Sequence, residues 1–178
     1  TLLSLYPDLF EAGAVIASVP FGAAKNLKEA FKALKPGVKK TPLEWANKVY
    51  EANENKKNYF PKILIIHGSV DWVVSVNNFY EMTKQWTALH QIDLNPDKKK
   101  YINKHIHLEY HNENKKPMVE TILVQDMGHG LPVDPGTGEK QGGQLGYTHS
   151  MGTLVFQTAV DKNFYSSYYI SCFFGFAH

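Results

Sequence analysis

The sequence predicts an α/β fold built on a parallel sheet, and three observations carry that prediction. Two apolar runs, Gly13-Ala-Val-Ile-Ala-Ser-Val19 and Lys62-Ile-Leu-Ile-Ile-His67, lack the in/out alternation of a half-exposed strand and have the pattern of strands covered on both faces. Between and after them, apolar residues recur at helical spacing. The chain has 178 residues, of which 43% are apolar and 20% charged, enough to fill the core of one domain and to solvate its surface. No repeat period or low-complexity linker divides it, so residues 1–178 are expected to form a single α/β unit.

The elements follow in order. Leu2, Leu3, Leu5, Leu9 and Phe10 line one side of a short helix that Pro7 limits. After the first strand, which Pro20 and Gly22 close, Leu27, Ala30, Phe31 and Leu34 give the buried stripe of a helix from Lys25 to Leu34, ended by Lys35-Pro36-Gly37. Thr41, Pro42 and Glu44 form a capping box, opening a helix whose buried stripe is Leu43, Trp45, Ala46, Val49 and Tyr50. Glu51 to Asn58 is polar and is expected to be a loop, and the strand Lys62–His67 empties into the turn-forming Gly68-Ser-Val-Asp71. Phe79, Met82, Trp86 and Leu89 mark a helix over Val76 to His90. A lysine-rich loop at Asn95 to Lys100 then precedes two alternating strands, Ile102 to Tyr110 and Met118 to Val124, joined by a hairpin through His111 to Pro117. A glycine-rich loop from Met127 to Gly146 leads to a closing helix containing Phe164, Tyr168, Tyr169 and Phe173.

Charge and cysteine content narrow the functions. The 19 basic residues, all lysine, face 17 acidic ones, a formal +2, too even a balance for a dedicated nucleic-acid or anionic-membrane binder. Without arginine there is no guanidinium fork for bidentate capture of phosphate or guanine edges. The single cysteine, Cys172, excludes an intrachain disulfide and a thiolate-rich zinc or iron–sulfur site. No apolar run reaches the roughly 20 residues of a membrane-spanning helix. The opening Thr1-Leu-Leu-Ser-Leu-Tyr6 is already in helical spacing and has no methionine, which leads us to expect a segment upstream of it.

Chemistry in open α/β sheets gathers at the carboxyl ends of strands. Two such junctions hold titratable residues: His67-Gly-Ser-Val-Asp71, and Asp126-Met-Gly-His129-Gly130 after the apolar run Ile122-Leu123-Val124. An acid after one strand and a glycine-flanked histidine after a later one stand in the order of the last two members of a hydrolase triad. The histidine would move a proton between a hydroxyl and a leaving group, and the carboxylate would hold its tautomer and stabilise the imidazolium. Each also has a plainer reading, Asp71 as a turn or cap residue and His129 as part of a loop.

Several stretches resemble the polyhydroxybutyrate depolymerase family of esterases: Tyr6-Pro-Asp-Leu-Phe-Glu-Ala-Gly-Ala-Val-Ile-Ala17, Thr41-Pro-Leu-Glu-Trp45, Ile66-His-Gly-Ser-Val-Asp71, Gln85-Trp-Thr87, Met127-Gly-His-Gly-Leu-Pro-Val-Asp134 and the terminal Phe164 to Gly175. The resemblance implies an α/β-hydrolase fold, represented here by the C-terminal part of its sheet. It also implies hydrolysis of polyhydroxyalkanoate or related acyl esters by a serine, histidine and aspartate, with Asp71 as triad acid and His129 as base. In that family a Gly-x-Ser-x-Gly elbow precedes the segment resembling Thr1 to Phe10. The nucleophile, the earlier strands and the oxyanion donors are therefore expected from an upstream segment or a second polypeptide. Trp72 and Pro132 would lie at an apolar, substrate-binding rim. Family members are often exported, which implies an extracellular or periplasmic location. No cofactor, nucleic acid or membrane is called for.

Internal serines fit the nucleophile poorly: Ser150 in Thr148-His-Ser-Met-Gly152 follows the histidine and has threonine where the tight turn wants glycine, and neither Ser4 nor Ser69 sits on a strand–turn–helix elbow. His105, His107, Glu109 and His111 would share one strand face. In line on one strand they cannot easily surround an ion, so a solvated hairpin face is expected and no metal. The non-enzymatic alternative is a remnant, fragment or subunit that needs a second polypeptide for the nucleophile. A sheet without its upstream strands would leave an unpaired edge and an apolar flank, which would in either case favour association with a second polypeptide or another copy of the chain.

Overall fold

The computed structural model describes residues 1–53, 59–151 and 154–177, with residues 151, 154 and 156 described in backbone only. A short α1 (Leu2–Leu5) and a 3-10 turn (Pro7–Leu9) lead into β1 (Ala12–Ile16). Then come α2 (Leu27–Leu34), α3 (Pro42–Ala52), β2 (Lys62–Gly68) and α4 (Asn77–Leu89). A meander of β3 (Lys98–Ile102), β4 (His105–His111) and β5 (Pro117–Val124) follows. The remainder holds β6 (Leu131–Val133), β7 (Thr148–Met151), β8 (Leu154–Gln157), β9 (Ala159–Asp161) and α5 (Ser166–Phe174).

The main sheet has the order β1-β2-β5-β4-β3. β1, β2 and β5 are parallel, while β4 runs antiparallel to both β5 and β3. Alternation along β2 divides the core. Ile63 and Ile65 face α3 and α4, meeting Val49, Phe79, Met82 and Trp86. Leu64 and Ile66 face the other way, onto Ile122, Met127, Phe164 and Phe173. All four of these β2 residues are no more than 1% exposed, so β2 is covered on both faces as its run predicts. The α3 capping box is present in full: Thr41 accepts the Glu44 N–H, and the Glu44 carboxylate accepts the Thr41 N–H.

The differences from expectation have local causes. β1 is an edge strand that stops at Ile16, before Ala17 at φ 48°, and only Gly13 in it is fully buried. On α2 half of the expected stripe faces outward, with Leu27 74% and Phe31 65% exposed while Ala30 and Leu34 are partly buried, because the helix docks through Ala33 against Ala23 and Trp45. Leu43 and Tyr50 likewise point out of α3, leaving Trp45, Ala46 and Val49 inside. Glu51 and Ala52 belong to α3 and Asn53 is its buried C-cap; the rest of the expected loop, residues 54–58, lies outside the described residues. The lysine run is strand rather than loop: Lys98 and Lys100 pair with Glu109 and His107 on an edge whose lysines discourage further strand addition. The single strand expected over Ile102 to Tyr110 is broken by a turn at Asn103, an αL residue at φ 54° that begins β4 afresh. The loop after Met127 also contains β6, paired in parallel with β9.

Candidate active site

Asp71 sits in the turn after β2, and its side chain is wholly shielded from solvent. Oδ1 accepts the backbone N–H groups of Val73 (3.0 Å) and Val74 (2.9 Å), an Asx-type turn that fixes the carboxylate plane. Oδ2 lies 2.9 Å from Nδ1 of His129. A carboxylate only accepts, so Nδ1 carries the proton and donates, and in the neutral ring the lone pair is on Nε2. That is the tautomer a general base requires. The imidazole is 26% exposed, reachable from outside while its partner is not.

Backbone contacts hold the two loops together. Ser69 N–H donates to Val124 O at 2.9 Å, Val70 N–H to Met127 O at 3.0 Å, and Asp126 N–H to Ser69 Oγ at 2.9 Å. Gly68 packs directly on the carbonyls of Met127 and Gly128. Met127, 1% exposed, anchors the histidine loop in the core below. Asp126 pairs with Lys104 at the surface, so of the two aspartates quoted at the junctions it is Asp71 that meets the histidine.

Sequence reasoning quoted His67 but gave it no role. Its Nε2 donates to Val74 O at 2.9 Å and lies 3.5 Å from Oδ2 of Asp71, the oxygen that His129 also contacts. His67 thus ties the end of β2 to the turn that carries the acid. The signal was available, since a histidine closing a buried strand needs polar partners.

Trp72 is half-buried with its indole beside Gly128, at the edge of the His129 loop. Pro132 differs from expectation: it is buried in β6, and its carbonyl accepts the Ser166 hydroxyl at 2.8 Å, so it packs inward rather than lining an open rim. Ser150 lies on the β7 hairpin strand, and Gly152 of the same stretch is outside the described residues. Ser4 is buried in α1. His105 leaves the expected histidine row: Nε2 donates to Lys162 O and Nδ1 accepts the Gln125 N–H, at 0% exposure. Glu109 on the same face is 5% exposed, so the face is no solvated hairpin.

Burial holds the imidazoles of His67, His90 and His105 below the ordinary histidine value, His90 down to about 4. The unfolded chain therefore takes up these protons first as pH falls. Stability from keeping the rings neutral is complete above about pH 6.5 and is lost as pH drops toward about 4. Unfolding free energies from urea titrations across that window should decline steadily, with His90 alone accounting for roughly 3 kcal/mol by about pH 4. A midpoint unchanged down to about pH 4.5 would contradict the burial of these rings.

A mostly parallel central sheet flanked by helices, with an aspartate–histidine pair on adjacent loops at its strand ends, defines an α/β-hydrolase fold. Acetyl xylan esterase from Aspergillus awamori shares the architecture, with a TM-score of 0.63 over 72% of this chain and 48% of that one, at 23% identity. The chain belongs to the polyhydroxybutyrate depolymerase family of esterases. It is 38% identical over 174 residues to poly(3-hydroxyalkanoate) depolymerase C of Paucimonas lemoignei, a match covering 98% of the chain and 40% of that protein. An acetylxylan esterase of Coprinopsis cinerea is 32% identical over 140 residues, 74% of the chain and 36% of that protein. The chain thus spans about 40% of the length of the depolymerase it matches. No protein-family profile matches it. Among the described residues, no helix is long and apolar enough to cross a membrane.

Proposed function

We propose that this chain is the acid- and base-bearing part of a serine carboxylic-ester hydrolase acting on polyhydroxyalkanoates or related acyl esters. The observation that carries the reading is the 2.9 Å bond between His129 Nδ1 and an Asp71 carboxylate whose other oxygen is occupied by two backbone N–H groups. In this reading, Nε2 of His129 takes the proton of a serine hydroxyl as the serine oxygen attacks the ester carbonyl. The same nitrogen then protonates the departing alcohol, and a water activated in the same way releases the acid. Asp71 does not take the proton; it stabilises the imidazolium. Trp72 offers an apolar contact beside the reacting ester. The serine and the oxyanion donors come from a segment upstream of Thr1 or from a second polypeptide, with the β1 edge as the place for its strand. A second copy of this chain at that edge is the other occupant considered. Secretion to the cell exterior or periplasm would suit a polymeric substrate.

The test is hydrolysis of p-nitrophenyl butyrate and of dispersed poly(3-hydroxybutyrate) by the native protein carrying this sequence, beside residues 1–178 alone. The native protein should turn over ester and be labelled by a fluorophosphonate on a serine outside residues 1–178, and residues 1–178 alone should be inactive. Labelling at Ser150, or no hydrolysis by the native protein, would sink the reading.

A further inference from the structure

A second polar cluster lies on the face of the sheet opposite α3 and α4. Glu109 on β4 and Glu120 on β5 are directly paired in the ladder, so two carboxylates stand side by side on one face. Like charges so placed repel unless a cation lies between them. His107, two residues before Glu109, projects from the same face, and its Nε2 is 2.8 Å from Oε2 of Glu120. One ligand atom each from His107, Glu109 and Glu120 lies within 4.8 Å of the others. They border a hollow of about 210 Å³ that Tyr169 and Cys172 of α5 also line.

We propose that His107, Glu109 and Glu120 form a binding site for a divalent transition metal of the zinc type, with water completing the coordination. Imidazole and carboxylate are the donors such an ion takes, and three protein ligands with a water form a common set. Tetrahedral bonds of about 2.0–2.2 Å place donors closer together than 4.8 Å, so the side chains draw inward on binding. The objection that residues on one strand lie in line is met by β5, which supplies Glu120 from a second strand.

The cluster has the outer partners that orient ligands. His111 Nε2 donates to Oε2 of Glu109 at 2.9 Å, holding that carboxylate from the side. Lys100 pairs with Oε1 of Glu109, and Lys98 lies 3.6 Å from Oε2. Burial would raise the Glu109 carboxyl, but these bonds outweigh it and hold the group at about 2, so it is an anion at neutral pH. The Lys100 ammonium is the resident counter-charge. It hangs from an edge strand with its side chain 55% exposed, and can swing into water when the metal takes its place. On binding, the neutral His107 ring changes tautomer, its one proton passing through solvent from Nε2 to Nδ1, and the Nε2 lone pair goes to the ion. The site is remote from His129 in role: it would pin β4 and β5 together beneath α5 and takes no part in the ester chemistry.

Zinc chloride titrated calorimetrically into the purified protein tests this, with magnesium as comparison. A single zinc per chain should bind with Kd below about 10 µM, and magnesium much more weakly. His107→Ala and Glu120→Gln should each weaken zinc by about 10- to 100-fold. Lys100→Ala should bind zinc more tightly, because the competing ammonium is gone, a gain that misfolding cannot produce. At a hundredfold excess over Kd, zinc should raise the melting temperature by about 5–10 °C. Zinc affinity unchanged in both His107→Ala and Lys100→Ala, or abolished by His129→Ala instead, would overturn the proposal.

Discussion

If the proposed ester hydrolysis holds, replacing Asp71 by asparagine in the native protein is expected to cut kcat on short acyl esters by about 10⁴-fold, because an amide can donate to Nδ1 and so favours the wrong tautomer of His129. His129→Ala should cost as much or more, since nothing else would carry the proton. KM should change little in either variant, because both groups act on proton transfer rather than on binding the acyl chain. The two losses should not add: Asp71 acts through His129, so the double variant should be no slower than His129→Ala. A loss below about tenfold in Asp71→Asn would mean that the 2.9 Å contact organises the loops and does not serve catalysis.

The largest stability loss is expected at Trp45, which is fully buried between α2 and α4. Its indole N–H donates at 2.7 Å to Oε2 of Glu81, a buried carboxylate that also accepts from Lys40 N–H and pairs with Lys84. Burial would raise the Glu81 carboxyl, and these donors together bring it below the ordinary value instead. Trp45→Ala therefore opens a cavity and withdraws a donor from a buried anion. The first effect costs about 3–5 kcal/mol and the second about 1–3 kcal/mol. Against a domain stability of about 5–15 kcal/mol, the variant should be largely unfolded at modest urea. Trp45→Phe restores most of the volume but not the N–H, so its unfolding free energy should fall by about 1–3 kcal/mol and isolate the second effect. Equal midpoints for Trp45→Phe and the parent would show that the Glu81 contact contributes nothing.

The sequence marks Asp71 and His129 as candidates because both stand where strand pattern ends and glycine begins. His67-Gly-Ser-Val-Asp71 and Asp126-Met-Gly-His129-Gly130 announce two junctions, and the sheet order brings them to adjacent loops. Periodicity does not encode which way a short helix faces when its docking residue is small. Leu27 and Phe31 have the right spacing, yet Ala33 makes the contact. Nor does it separate an exposed edge strand from a loop when both are rich in lysine, as at Lys98 to Lys100. Pro132 has a rim-like neighbourhood in sequence, but the parallel pairing of β6 with β9 turns it inward, and that pairing joins residues far apart in the chain. Glu120 was invisible as a partner of His107 for the same reason, since only the register of β4 against β5 sets them together.

The packing of Gly68 against the carbonyls of Met127 and Gly128 has a further implication. A β-carbon at that position would collide with main-chain atoms, which cannot rotate aside as a side chain would. The separation of the Asp71 and His129 loops is thus gauged by the thickness of a bare polypeptide backbone, the least compressible spacer a protein possesses. Asp71 and His129 are thus carried on loops whose backbones are in direct contact, so a push on one loop is passed to the other.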